Sequence, residues 1–157
     1  MRKHARPVLF GLALAAAAGC ASMGLAPDRS PGVESEIQDA ERRAHEDRTR
    51  SALAAMEVGL ADFLKAEGGV PAKLDALIPK YLSEIPVADV GLRAHSASAD
   101  VKYYPAEVIQ DEMVDGTRLR DTGRWGFAFN GRRAILFVDC THKTTLGELW
   151  YQVRGIH

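Results

Sequence analysis

Cysteine is scarce in this chain, which has only Cys20 and Cys140. Long apolar runs are missing too. The longest, from Val8 to Ala18, is interrupted at Gly11 and falls short of the about 20 residues a helix needs to cross a bilayer. Neither sign of charge dominates: the formal net charge is -1. That balance argues against nucleic acid as a partner, which would want a basic face. There is no Gly-rich phosphate loop, no Ser elbow and no His-Glu-x-x-His pair. With no catalytic constellation to read, the chain is expected not to be an enzyme and to need no cofactor.

What is present begins at the N-terminus. Residues 1–7 carry Arg2, Lys3 and Arg6 and no acid, and the short apolar run follows directly. A basic segment, a short apolar segment and small residues at its end describe an export signal. The end reads Ala17-Ala18-Gly19-Cys20, which resembles the bacterial lipobox, although the usual Leu three residues before the cysteine is Ala17 here. The resemblance implies a signal peptide over residues 1–19, cleavage before Cys20, and lipid on the Cys20 sulfur as a membrane anchor. Ala16-Ala17-Ala18 would also permit cleavage by ordinary signal peptidase. Ala21 and Ser22 follow the cysteine in place of Asp, which by the sorting rule of enterobacterial lipoproteins favours the outer membrane. Loss of the three basic residues takes the formal charge from -1 to about -4. With Cys20 acylated, Cys140 has no partner for an internal disulfide, and its place at the end of an apolar run predicts a buried, inert thiol.

The mature chain reads as one domain. Residues 20–34 are the lipidated cysteine and a flexible Pro/Gly-containing tether, and residues 35–157 the domain. A long helix is expected from Ser35 to a C-cap at Gly68-Gly69. Its first half, residues 35–50, is crowded with charge, and Asp39–Arg43 and Glu46–Arg50 stand in the favourable acid-first i,i+4 order. That half is expected to be a water-surrounded extension. From 51 onward, Leu53, Met56, Leu60 and Phe63 make one apolar stripe fit to pack on a sheet. Pro71, Pro79 and Pro86 then bound a short helical turn over residues 73–78.

Eight of the eleven aromatics lie beyond residue 100. Residues 101–109 read as a strand that Pro105 marks as edge or interrupted, and residues 110–123 as a polar connection. Trp125, Phe127 and Phe129 alternate with small or polar residues, the mark of a half-buried strand. Asn130-Gly131 predicts a two-residue type I′ hairpin. Residues 134–140 are apolar on both faces, as in a central strand, and residues 149–154 predict a last strand. A helix followed by strands implies α+β, with one long N-terminal helix packed on a small antiparallel sheet.

Three segments carry a family resemblance. The run from Pro71 to Pro86 (PAKLDALIPKYLSEIP), then Asp121-Thr-Gly-Arg-Trp125-Gly-Phe127, then the stretch from Cys140 to Trp150 resemble, in order and spacing, the globular domain of type II secretion pseudopilins and type IV pilin-like proteins. The resemblance covers roughly residues 50–155 and implies the same pilin-like architecture. It also implies a role through protein contacts, with secretion or pilus machinery as partner. The departures are pronounced: pilins have an apolar helical half where this chain has residues 34–50, and burying so many charges in a filament core would cost several kcal/mol each. Some major pseudopilins hold calcium in a C-terminal loop, but residues 141–146 here contain no acid, so no calcium site is carried over.

Among side chains that could do chemistry, Cys140 and His142 are two apart and would share a face of an extended strand. At that spacing they could supply half of a metal site, but there is no second pair at ligand spacing, so no metal site is assigned. The same two residues could form a Cys–His nucleophile pair, without any surrounding motif. Asp111, Glu112 and Asp115 read as solvated loop charges, and Trp125 and Trp150 as core. Two functions remain. The first is a non-enzymatic, lipid-anchored envelope protein with a pilin-like interaction domain, a partner protein in the cell envelope and no assigned ligand-binding residue. The second is a ligand- or metal-binding periplasmic lipoprotein using the sheet face around Cys140, His142 and Trp150.

Overall fold

The computed structural model describes residues 31–155. The signal over residues 1–19, the lipidation site Cys20 and most of the tether lie outside the described residues. No described helix is long and apolar enough to cross a membrane.

Helix α1 spans Pro31–Glu67, four residues earlier than Ser35. Pro31 suits a first helical position, where its missing N–H is no loss. The C-cap is as expected: Gly68 takes φ 73°, and its N–H bonds the Leu64 carbonyl at 3.0 Å. Leu53, Met56 and Leu60 are buried, with Phe63 packed at their margin. The charged half departs from expectation. Residues 32–41 are exposed, but docking starts at Arg42, and Glu46 and Thr49 are 2% and 0% exposed. The charge is tolerated because it is hydrogen-bonded. The Glu46 carboxylate accepts from the Thr145 N–H at 2.9 Å, the Thr145 hydroxyl at 2.6 Å and the Arg42 guanidinium at 3.0 Å. A 3-10 turn at Leu74–Leu77 follows the helix, with both leucines buried.

Three strands make the main sheet: β1 (Val101–Tyr104), β4 (Arg124–Phe129) and β5 (Ala134–Asp139), in the order β1-β4-β5. The short strands β2 (Ile109–Gln110) and β3 (Met113–Val114) pair separately. The fold is therefore α+β, but the sheet is mixed and not purely antiparallel. β4 and β5 are an antiparallel hairpin, whereas β1 runs parallel to β4 from Val101↔Trp125 to Tyr104↔Ala128. A parallel pair needs a long crossover, and residues 105–123 supply it.

β4, not β5, is central. β5 is nonetheless covered on both faces, which explains its apolar run. On the helix side Leu136 and Val138 join Trp125, Phe127, Cys140 and Trp150 against α1. On the other side Ile135 and Phe137 pack with Val108, Ile109 and Val114. Gly126 is required there, because a Cβ would lie 2.3 Å from the Phe137 ring. Two further expectations are corrected. The last strand is a 3-10 turn at Trp150–Gln152, since the chain bends to bury Trp150 in the core. The hairpin turn centres one residue later: only Gly131 has positive φ, at 88°. Asn130 closes the turn with its N–H on the Arg133 carbonyl, while its side-chain oxygen accepts from the N–H groups of Arg132 and Arg133.

Candidate metal centre

Where β5 ends, the Cys140 sulfur lies 3.6 Å from His142 Nδ1. Two residues that the sequence does not connect with them complete a cluster. His95 comes from the loop over residues 88–98 and Asp121 from the segment entering β4. His95 Nε2 lies 3.3 Å from His142 Nδ1. Asp121 Oδ1 lies 3.6 Å from His95 Nε2 and 3.5 Å from His142 Nδ1. One ligand atom from each of the four residues falls within 4.8 Å of every other.

Each side chain is held by its surroundings. The His95 loop is closed by the Ala88–Ser98 backbone pair at 2.9 and 3.0 Å. It is pinned to α1 by Thr49, whose hydroxyl donates to the Asp89 carbonyl at 2.7 Å and accepts the Asp89 N–H at 2.8 Å. His45 Nδ1 meets the Asp89 carboxylate at 2.6 Å beside them. Gly123 makes room for His95, as a Cβ there would sit 2.6 Å from the His95 Cβ. Asp121 adopts φ 56°, a conformation that carries backbone strain. The strain is held by Asp139, 0% exposed. Its carboxylate gathers the N–H groups of Arg120 (3.2 Å), Asp121 (3.1 Å) and Thr122 (3.3 Å) and the Thr122 hydroxyl (2.6 Å). Asp139 is thus a buried charge satisfied by a loop wrapped around it. That wrapping turns Asp121 towards the histidines.

Burial and the neighbouring groups set the electrostatics of the cluster. Burial pushes the Cys140 thiol up to about 12, partly offset by the His142 backbone N–H aimed at the sulfur, while the Asp121 and Asp139 carboxylates add to the rise. A thiol held that high is protonated at neutral pH and a poor nucleophile. Burial would raise the Asp121 carboxyl, but the Thr141 N–H and the adjacent His142 and His95 outweigh it and hold it below its usual value. A carboxylate, two imidazoles and a sulfur form a donor set suited to a borderline-soft cation.

The remaining residues singled out from the sequence lie elsewhere. Trp150 is fully buried in the same core as Cys140, beneath the Arg50 guanidinium at 5.8 Å, and its backbone N–H donates to the His142 carbonyl at 3.1 Å. Glu112 pairs with Arg133 at 2.9 Å, and Asp115 caps the turn at Thr117. His95 and Asp121 were missed because they come from separate loops, so no spacing signals them. No family model, curated protein or solved structure matches this chain, and the chemistry of the site follows from its own atoms.

Proposed function

We propose that this protein is exported, tethered to an envelope membrane through lipid on Cys20, and works by binding a transition-metal cation at His95, Asp121, Cys140 and His142. The observation that carries the reading is the convergence of four ligand-type side chains from three separate loops. The distances of 3.5 and 3.6 Å between the two histidines and Asp121 exceed those of good hydrogen bonds. These atoms therefore crowd around a common point more than they bond one another. The export segment and Cys20 support the tether.

The pilin-like reading remains a second proposal, supported by the long helix lying on a small sheet and by the three resembling segments. In that reading the exposed, charged residues 32–41 make contact with a protein partner of secretion or pilus machinery. Non-enzymatic action is common to both.

Full-length protein purified from labelled cells tests the first proposal. Wild type should carry fatty acid and close to one equivalent of transition metal. Cys20→Ser should lose the fatty acid and keep the metal, and a Cys140→Ser/His142→Ala double variant the reverse. Metal-free wild type that also fails to take up any added transition metal would refute the binding reading.

A further inference from the structure

The four ligand atoms define more than a generic cation site. An ion bound tetrahedrally with nitrogen or oxygen at about 2.0–2.1 Å and sulfur at about 2.3 Å sets its ligand atoms about 3.3–3.6 Å apart. His142 Nδ1 stands 3.3 Å from His95 Nε2, 3.5 Å from Asp121 Oδ1 and 3.6 Å from Cys140 Sγ, and the His95–Asp121 edge is 3.6 Å. Four of the six edges of such a tetrahedron are thus matched, and the Cys140 sulfur lies within 4.8 Å of the remaining two ligand atoms. Calcium and magnesium call for six or more oxygen ligands, and the cluster offers one carboxylate. Copper(II) prefers a tetragonal arrangement.

We infer that the cation is zinc(II), held by all four side chains in a closed tetrahedral site that acts as a clip between loops; the inference rests on the metal-binding reading above. With four protein ligands no position is left for an activated water, which separates this site from catalytic zinc centres. What the clip joins is set by the fold. α1 grips the His95 loop through His45 and Thr49. It grips the loop beyond His142 through Arg42 on the Lys143 carbonyl, Glu46 on Thr145 and Arg50 on Glu148. Zinc closes the triangle by linking these two loops to each other and to the Asp121 segment. Occupancy therefore fixes the C-terminal loop against the docked base of the helix.

Cobalt(II) is the probe, because it replaces zinc and reports its geometry. Full-length protein extracted in mild detergent and stripped with chelator is titrated with cobalt(II), then with zinc(II) or calcium(II). The expected spectrum has the intense visible bands of a four-coordinate ion and a near-ultraviolet sulfur-to-cobalt band. Zinc should erase both at stoichiometric addition, and calcium should erase neither at large excess. Cys140→Ser should lose the near-ultraviolet band. His142→Ala, altering a side chain that is 46% exposed and so leaving the fold intact, should weaken cobalt binding at least about tenfold, the scale seen for even outer residues of metal sites. Zinc at a hundredfold excess over the wild-type Kd should raise the melting midpoint of wild type by roughly 10 °C and that of His142→Ala by no more than about half as much. A pale six-coordinate spectrum, a missing sulfur band or displacement by calcium would overturn the zinc clip while leaving metal binding in place. No uptake of any metal would overturn both.

Discussion

The two ends of the β4–β5 hairpin are built on the same strands and differ in what their polar groups are asked to do. At the turn end, Asn130 answers the backbone N–H groups of its own turn. Arg133 reaches Glu112 in an ion pair whose side chains are 51% and 81% exposed. The first is local and the second joins two exposed side chains, so water competes with it. At the other end Asp139 sits without exposure, and three consecutive N–H groups of a distant loop close on it. That closure aims Asp121 at His95 and His142. Polar groups exposed at one end shape a turn; polar groups buried at the other hold a constellation together.

The sharpest way to break this contrast is Asp139→Ala. It would strand three N–H groups and the Thr122 hydroxyl in a buried position. The expected loss is about 3–5 kcal/mol, the scale for breaking a buried charged network, along with loss of cobalt binding. Urea denaturation measures it, and a loss under about 1 kcal/mol would show that the loop holds itself. Gly131→Val comes next. With φ at 88° a β-branched residue is strained by about 1–3 kcal/mol, and metal uptake should be unchanged. A melting midpoint equal to wild type would contradict the turn geometry. Smallest is Arg133→Ala, where an exposed ion pair is worth about 0–1 kcal/mol. If its cost in a denaturation curve approached that of Asp139→Ala, the two ends would not differ as described.

The turn end was largely legible in the sequence and the other end was not, and the physical reason is range. The glycine of the turn and the Leu53–Met56–Leu60 stripe are local signals, and each stands in the fold where it was expected; the alternation marked β4 as a strand, but Gly126 and Ala128 are buried as well and Phe129 is exposed. The helix cap at Gly68 is of the same kind. Asn130 was misassigned because its side chain, and not a positive φ, satisfies the turn. The parallel pairing of β1 with β4 depends on how a long connection crosses the sheet, which no local pattern records. Charge misled most: Glu46 looks like its neighbours in the sequence, yet it is buried because Thr145, far along the chain, supplies donors. The cluster was half visible for the same reason. Cys140 and His142 are separated by one residue, whereas His95 and Asp121 arrive only through the folding of two loops.

Trp150 gives the molecule an unplanned instrument. Its indole N–H is buried with no hydrogen-bond partner among the described residues, a guanidinium lies over its ring, and its backbone N–H hangs on the carbonyl of His142. Emission from such an indole is set by its apolar, cation-flanked surroundings, and anything that draws His142 inward pulls directly on its peptide. Trp125, fixed by its Nε1–H on the Pro86 carbonyl at 2.6 Å, lacks that direct link and acts as an internal reference. For the proposed metal site, intrinsic fluorescence therefore offers a label-free gauge of occupancy, readable without altering any of the four side chains.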